Sequence, residues 1–563
     1  TNPDIVDNTV TGFNTIVNSA YYNFAAQFYG REDIMFLGEG GTDLWYMGQR
    51  GTYARQLMAY IDLAPATGQI KNTWQRLYEI VNYCNMGLDR IEEVPFQTEE
   101  AREAKEGELR FVRAYAYWAI CEFWGNVTLN EHETKGVVEY AYRSSITDFY
   151  KLIIDDLNRA KTILPIKQTD IGRAERKSAY GMLARAALTR ASYLEYFENN
   201  SAAAKEYYQI AYDAAEYLIE NRQTLGCDLY DSFDKVFLPE NNKNNNEAVW
   251  TVTHSTESVL NPQPSNANRL FIWYNPKYIN LCGMPEVEVL EYGRDNNNRM
   301  MPTKYLLELF NEEIDSRYYT SFREAYILPL KDANGKNVST YTWKKNDAVI
   351  FNKDTTTFVN IVKIQPGDTA LFYTKKVVPN KTVLRYGVKD INDLYDASGS
   401  ITSNASNYPY YPALQKFRDA DRIPNSQAGT KNVIIMRLAE AYLISAEAAY
   451  NLNDPGKAKE RINDLRRRAA IKFPVDRTSE MLISESELSL DFFLDERARE
   501  LCGEHLRWFD LKRTKQLEHR LGTGKQNPDI TNFDPKRHYV RPIPQSELDA
   551  IRNAEEYGQN PNY

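Results

Sequence analysis

The stretch IIMRLAEAYLISAEAAYNLNDPGKAKERINDLRRRAA, residues 434–470, limits what this chain can become more than any other. Ile435, Leu438, Ala439, Tyr442, Leu443 and Ala446 fall on one face of a helix. After the turn NLNDPG, Ala458, Ile462, Leu465 and Ala469 fall on one face of a second helix. Small inward residues, a Pro-Gly turn and a second amphipathic run make a tetratricopeptide-like helix pair. Such a pair cannot bury its own apolar faces, so several must stack.

The N-terminal part supplies the other pairs. Trp74, Leu77, Tyr78, Val81, Cys84, Leu88 and Ile91 share one helical face, and Phe111, Ala114, Tyr115 and Trp118 share another, with Pro95 between them. ITDFYKLIIDDLNRAKTILP reads as a helix stopped at Pro165, and the Ala-rich GRAERKSAYGMLARAALTRASYLEYF as one suited to close helix approach. Between about 226 and 430 the texture changes to Asn-rich and Pro-rich loops. β-branched stretches (TTTFVNIVKI, TALFYTKKVV) and the Asn-Gly turn signal of KDANGKNV accompany them. The expected fold is mainly α: stacked tetratricopeptide-like pairs from about 10–220 and 431–515, with a loop-rich middle containing short strands. Its parts are a helical 1–225, a ligand-facing 226–430, and a C-terminal helix pair and signature region in 431–563, together one domain over 1–563.

Charge and motifs exclude several functions. A net charge of −9 offers no basic footprint for nucleic acid, and no apolar run approaches the ~20 residues of a membrane span. TNPDIVDNTV lacks the basic and apolar stretches of an export signal, which has therefore been removed or never existed. Cys84, Cys121, Cys227, Cys282 and Cys502 form no CxxC and sit among apolar residues, so buried free thiols are expected. Five scattered histidines make no metal site, and GTGKQ at 522–526 lacks the first glycine and the Ser/Thr of a phosphate loop. No catalytic residue, cofactor or metal is predicted.

ERARELCGEHLRWFDLKR, residues 496–513, superficially resembles an active site. Leu490, Phe493, Leu494, Ala498 and Leu501 form an apolar stripe that includes Arg497, so Arg497 should be buried against an acidic partner. Trp508 should be buried and His505 should bind no metal. The remaining charges read mainly as a solvated, partly ion-paired face.

ERARELCGEHLRWFDLKRTKQL, then YVRPIPQSELDAI and the closing QNPNY, resemble the C-terminal signature of the SusD/RagB-like outer-membrane nutrient-binding lipoproteins of Bacteroidetes. The resemblance includes WQRLYEIVNYCN (74–85), EGELRFVRAYAYW (106–118), DDLNRAKTILP (155–165), GRAERKSAYGMLARAAL (172–188) and IIMRLAEAYLISAEA (434–448). His505 and Thr128 stand where the family favours Gly and Pro. The resemblance implies a cell-surface protein that captures nutrient oligosaccharides, or in some members peptides. It further implies delivery of that cargo to a TonB-dependent SusC-like transporter, and an N-terminal lipid anchor on the outer membrane, absent from this chain. A surface glycoside hydrolase and a tetratricopeptide scaffold are the rival readings.

The resemblance carries over no individual binding residue, because these loops vary within the family. Sugars present apolar faces ringed by hydroxyls, so a binder needs flat rings beside amide and charged groups. GEGGTDLWYMGQRGTYARQ (38–56) offers Asp43, Trp45, Tyr46 and Arg50. NRLFIWYNPKYINLCGMPEVEVLEYGRDNNNR (268–299) offers Trp273, Tyr274, Tyr278, Tyr292, Arg294 and Asn296. The two loops are expected to meet in a shallow exposed platform with Trp45 and Trp273 stacking on sugar rings; Trp343 is a further candidate.

Overall fold

Eight helices carry the body, and most start where a short polar side chain takes up a free backbone N–H. They are α1 (Val10–Asn23), α2 (Gly68–Arg90), α3 (Glu99–Trp124), α4 (Ile146–Ile163), α5 (Arg176–Tyr196), α6 (Ser201–Glu220), α7 (Leu438–Asn451) and α8 (Pro455–Ala469). Thr98 accepts from Ala101 N, Asn200 from Ala203 N and Asp454 from Lys457 N, while Ser145 and Asp148 form a reciprocal capping box. The computed structural model describes residues 9–24, 28–29, 32–48, 52–257, 268–295, 298–402 and 410–563.

Each of these helices packs on the next, and α7 packs on α6 across nearly the whole intervening chain. The C-terminal pair thus extends the N-terminal series, and one apolar cluster runs from Phe13 to Tyr557. α5 lies inside this stack, buried on almost every side, which its alanines allow. The chain ends are tied together as well: Trp124 Nε1 donates to Pro542 O at 3.0 Å and Arg541 N to Phe123 O at 2.6 Å.

The middle segment is pinned to the body by antiparallel pairing of β2 (Ala248–Val252) with a late strand, Val433–Arg437. β1 (Trp45–Met47) pairs antiparallel with β3 (Met300–Pro302). β4 (Ala325–Ile327), β5 (Thr369–Tyr373) and β6 (Gly387–Lys389) form a three-stranded sheet over a second apolar cluster, which contains Tyr278, Tyr326 and Trp343. KDANGKNV makes its turn: Asp332 N donates to Lys336 O at 2.9 Å, with Gly335 at φ +81°. TTTFVNIVKI is only partly extended. Asp354 caps a short helix at Thr355–Phe358 by accepting from Thr356 N, and the strand waits until Lys363–Ile364. All five cysteines are buried and free.

The charge-dense stretch forms α9 (Leu490–Leu501) and α10 (Arg507–Arg513). Arg497 is buried, with its Nε 2.7 Å from Asp510, and Trp508 is fully buried. The expected solvated, partly ion-paired face is ion-paired but largely enclosed: Asp495 and Arg499 keep partial exposure, and the two glutamates do not. Glu496 and Glu500 have no exposed surface: Glu496 pairs with Arg317 at 2.9 Å and Arg466 at 2.6 Å, Glu500 with Arg437 at 2.7 Å, Arg317 at 3.1 Å and Arg468. Lys512 meets Glu122 at 2.7 Å and Arg513 meets Glu447 at 2.8 Å. Helical spacing told which charges share a side of α9; the middle segment and the end of α8 cover that side. His505 stands at φ +67°, a left-handed position that glycine occupies without strain.

Candidate ligand-binding site

The two predicted loops do meet. Trp45 lies opposite Pro302 and Met47 opposite Met300, and the Trp45 and Tyr274 rings contact edge to face, 5.0 Å between centroids. Gly48 N donates to Arg299 O at 3.0 Å, and Arg299 N donates to Trp273 O at 2.9 Å.

The junction is held from below by buried charge. Asp43 receives Arg507 Nε at 2.8 Å and Nη2 at 2.6 Å, with Arg520 Nη1 at 3.0 Å. Burial works against its charge, yet the two guanidiniums hold the Asp43 carboxyl below the usual carboxylate range. Glu39 accepts from Trp45 Nε1 at 2.6 Å and from Leu506 N at 3.2 Å but has no cation partner among the described residues, so burial pushes its carboxyl up to about 7. The glycines of GEGGTD serve this packing: a Cβ on Gly38 would lie 2.4 Å from His505 O, and one on Gly40 2.6 Å from Phe36 O.

The expected exposed platform is therefore corrected. Trp45 is 0% and Trp273 3% exposed, and Asp43, Tyr46, Tyr274 and Tyr278 are buried with them. A buried indole N–H needs an acceptor and a buried ring needs neighbours; Trp45 has Glu39 and Tyr274, so its faces offer nothing to a sugar. Tyr278 donates to Gly293 O and stacks on Tyr326 within the second cluster. Trp343 is equally buried, donating to Arg385 O at 2.8 Å. Arg50 and Asn296 lie outside the described residues. Met47, Tyr292 and Arg294 keep partial exposure. Tyr292 carries the Arg323 guanidinium 4.3 Å from its ring centre, and Arg294 donates to Asn425 O.

A larger opening went unread in the sequence. A cleft of about 860 Å³ lies between the outer side of α2, the segment near 128–141 and the chain around 547–557. Tyr78, Asn82, Tyr83 and Met86 line it, half-buried. Their signal was available, since Asn82, Tyr83 and Met86 fall outside the apolar stripe of that helix. Among the described residues no group of His, Cys, Asp and Glu could hold a metal ion, and no helix is long and apolar enough to cross a membrane.

Comparison with known proteins places this frame. Residues 240–563 match the profile described as the SusD family, and residues 2–188 one described as starch-binding associating with outer membrane. The chain belongs to the SusD family. A SusD-like protein of Formosa agariphila is 22% identical, covering 100% of this chain and 94% of its own length. The starch-binding protein SusD of Bacteroides thetaiotaomicron is 23% identical over 89% of this chain and 80% of its own. The surface glycan-binding protein A from Bacteroides fluxus shares the fold, with a TM-score of 0.65 at 16% identity over 98% of this chain and 99% of that one. SusD family proteins bind and do not catalyse. In this member of the SusD family the charge-dense signature is part of the scaffold: it anchors Asp43 and Glu39, and through them the loop that carries Trp45.

Proposed function

We propose that this chain captures oligosaccharides at the surface of the outer membrane and passes them to a TonB-dependent SusC-like transporter. The SusD family match carries the reading, and the starch- and glycan-binding names of its relatives support a sugar cargo. The capture surface lies over the junction of the two loops. Trp45, Trp273 and Asp43 lie buried beneath it and hold the junction without touching cargo, and the partly exposed Met47, Tyr292 and Arg294 are its candidate contacts. A lipid anchor preceding the sequence holds the protein at the membrane. Cargo that must be released favours weak binding, roughly −4 to −8 kcal/mol, or micromolar to millimolar Kd.

Arrays of glycans and peptides on the purified protein test the cargo. Oligosaccharide binding is the expected result, and binding of peptides alone would overturn it. Tyr292→Ala should weaken the identified glycan by about 1 kcal/mol, read by calorimetry on the folded variant, and should also lower Tm, because the ring packs on Tyr278 and Tyr326 and carries Arg323. Unchanged affinity would move the site elsewhere, the cleft beside α2 being the first alternative. Co-purification with a large β-barrel protein from native membranes tests the hand-off.

A further inference from the structure

The polar residues of α2 fall into two groups. Asn85 is consumed inside the protein: its Nδ2 donates to Asn130 O at 2.8 Å and to His132 O at 3.1 Å, and its Oδ1 accepts from Arg113 at 2.9 Å. Gln75, Glu79, Asn82 and Met86 instead recur at intervals of four, three and four residues, a stripe along the outer side of the helix. Such a stripe ordinarily faces open water. Here it lines the cleft of about 860 Å³, within the roughly 300–1,000 Å³ of small-ligand sites.

The walls are held by the protein itself. Tyr78 donates to Thr128 O at 2.8 Å and rests against Trp74, 4.8 Å between ring centres. Thr134 N donates to Asn82 Oδ1 at 2.8 Å, which ties the 134–141 segment to α2. Arg552 N donates to Glu139 O at 2.7 Å, and the Asn553 side chain exchanges two hydrogen bonds with the Ala141 backbone. These bonds do not use up the lining. A backbone N–H can only donate, so Asn82 turns its oxygen to Thr134 and keeps both amide N–H groups for the cleft. Among the described residues, the Gln75 amide, the Tyr83 hydroxyl and the Glu547 carboxylate likewise have no hydrogen-bond partner in the protein.

That combination selects a ligand. A sugar hydroxyl both donates and accepts, and the cleft holds spare donors on Asn82, Gln75 and Tyr83 and a spare acceptor on Glu547. Tyr78, Tyr83, Met86 and Ile551 offer ring and alkyl surface for the apolar face of a sugar. Charge narrows the class: Glu79 and Glu547 line the cleft, and among the described residues no Lys, Arg or His does. A uronate or sulfate ester would meet like charge without a counter-ion, which selects against acidic glycans.

We propose that the cleft beside α2 is a second carbohydrate site and that it takes neutral oligosaccharides. No residue of the loop junction lines it, so the two sites are separate. The inference rests on the sugar cargo proposed above, but not on the junction as the place where that cargo binds.

Calorimetry with neutral gluco-, galacto-, manno- and xylo-oligosaccharides, with oligogalacturonate as the acidic probe, tests it. Titrations are run in the Tyr292→Ala background, where the junction is already weakened. Gln75→Ala and Tyr83→Phe each remove one spare polar group and no hydrogen bond of the scaffold, so Tm should hold. Each should weaken the neutral ligand about three- to tenfold. A neutral ligand that keeps its affinity when both changes are combined overturns the cleft and leaves sugar capture standing. Oligogalacturonate whose affinity falls in the same two variants overturns the neutral assignment, and sugar capture again stands. Failure of the whole neutral series to bind overturns the proposal, and peptide binding in its place overturns sugar capture with it.

Discussion

Glu39 shows how much one side chain beneath the loop junction is asked to do. It holds the Trp45 indole and the start of α10 with no cation partner among the described residues, and burial pushes its carboxyl up from an ordinary 4.5 to about 7. Its titratable neighbours Tyr274 and Cys502 stay neutral, because burial raises both. A carboxyl raised by folding binds more protons folded than unfolded between those two values, so stability falls as pH rises through about 7. Glu39→Gln keeps an acceptor for Trp45 and cannot ionise. It should remove a pH-dependent loss approaching about 3 kcal/mol, seen as a smaller drop in Tm between pH 5.5 and 8.5 than in the wild type. An identical drop in both proteins would show that Glu39 does not govern it. Glu500 has the opposite sign. Despite burial, Arg468, Arg437 and Arg317 hold its carboxyl far below the usual range. Its contribution is present above about pH 4.5 and is lost as pH falls below it. Glu500→Gln should cost roughly 3–5 kcal/mol at neutral pH in chemical denaturation, and the difference from wild type should narrow in acid.

At the scale of elements, small residues decide how closely α5 approaches its neighbours. A Cβ on Gly181 would lie 2.3 Å from Met436 Sδ and 2.9 Å from Val249, on the paired strands that tie the middle segment to the body. Gly181→Ala should therefore destabilise by about 1–3 kcal/mol, although alanine is the better helix former. A stabilised variant would mean that the strand pair yields freely. The helices themselves were legible because their period, caps and Pro or Gly stops are local. The short helix at Thr355–Phe358 was misread because four residues carry too little periodicity to outweigh a β-branched composition, whereas the Asp354 cap decides it.

For the whole molecule, the consequence is that the chain ends cannot part easily. Arg185 binds Glu440 at 2.6 Å, Lys512 binds Glu122 at 2.7 Å, and α6 packs on α7. A protein nicked once within 226–430 should elute from a sizing column as a single complex under native conditions and separate only in denaturant. Fragments that part on nicking would mean two independent bodies. The same closure covers Glu496 and Glu500 of α9, so the cluster that looks most like an active site is an enclosed ionic core.

Periodicity, turn residues and the order of motifs determined, without coordinates, the stacked helix pairs, the loop-rich middle, the burial of Arg497 and Trp508, and the family. These follow from interactions between residues near one another in the chain, or from patterns repeated along it. Exposure of the candidate site did not follow. Trp45, Trp273 and Tyr278 have the composition of a sugar platform. Whether a ring faces solvent depends on which distant segment arrives on top of it: Glu39 and Tyr274 for Trp45, the second apolar cluster for Tyr278. Likewise Glu496 and Glu500 read as solvated until Arg317, Arg437 and Arg468, brought from far along the chain, close over them. Only the tertiary structure decides such burial, because its sign depends on partners that helical spacing does not name.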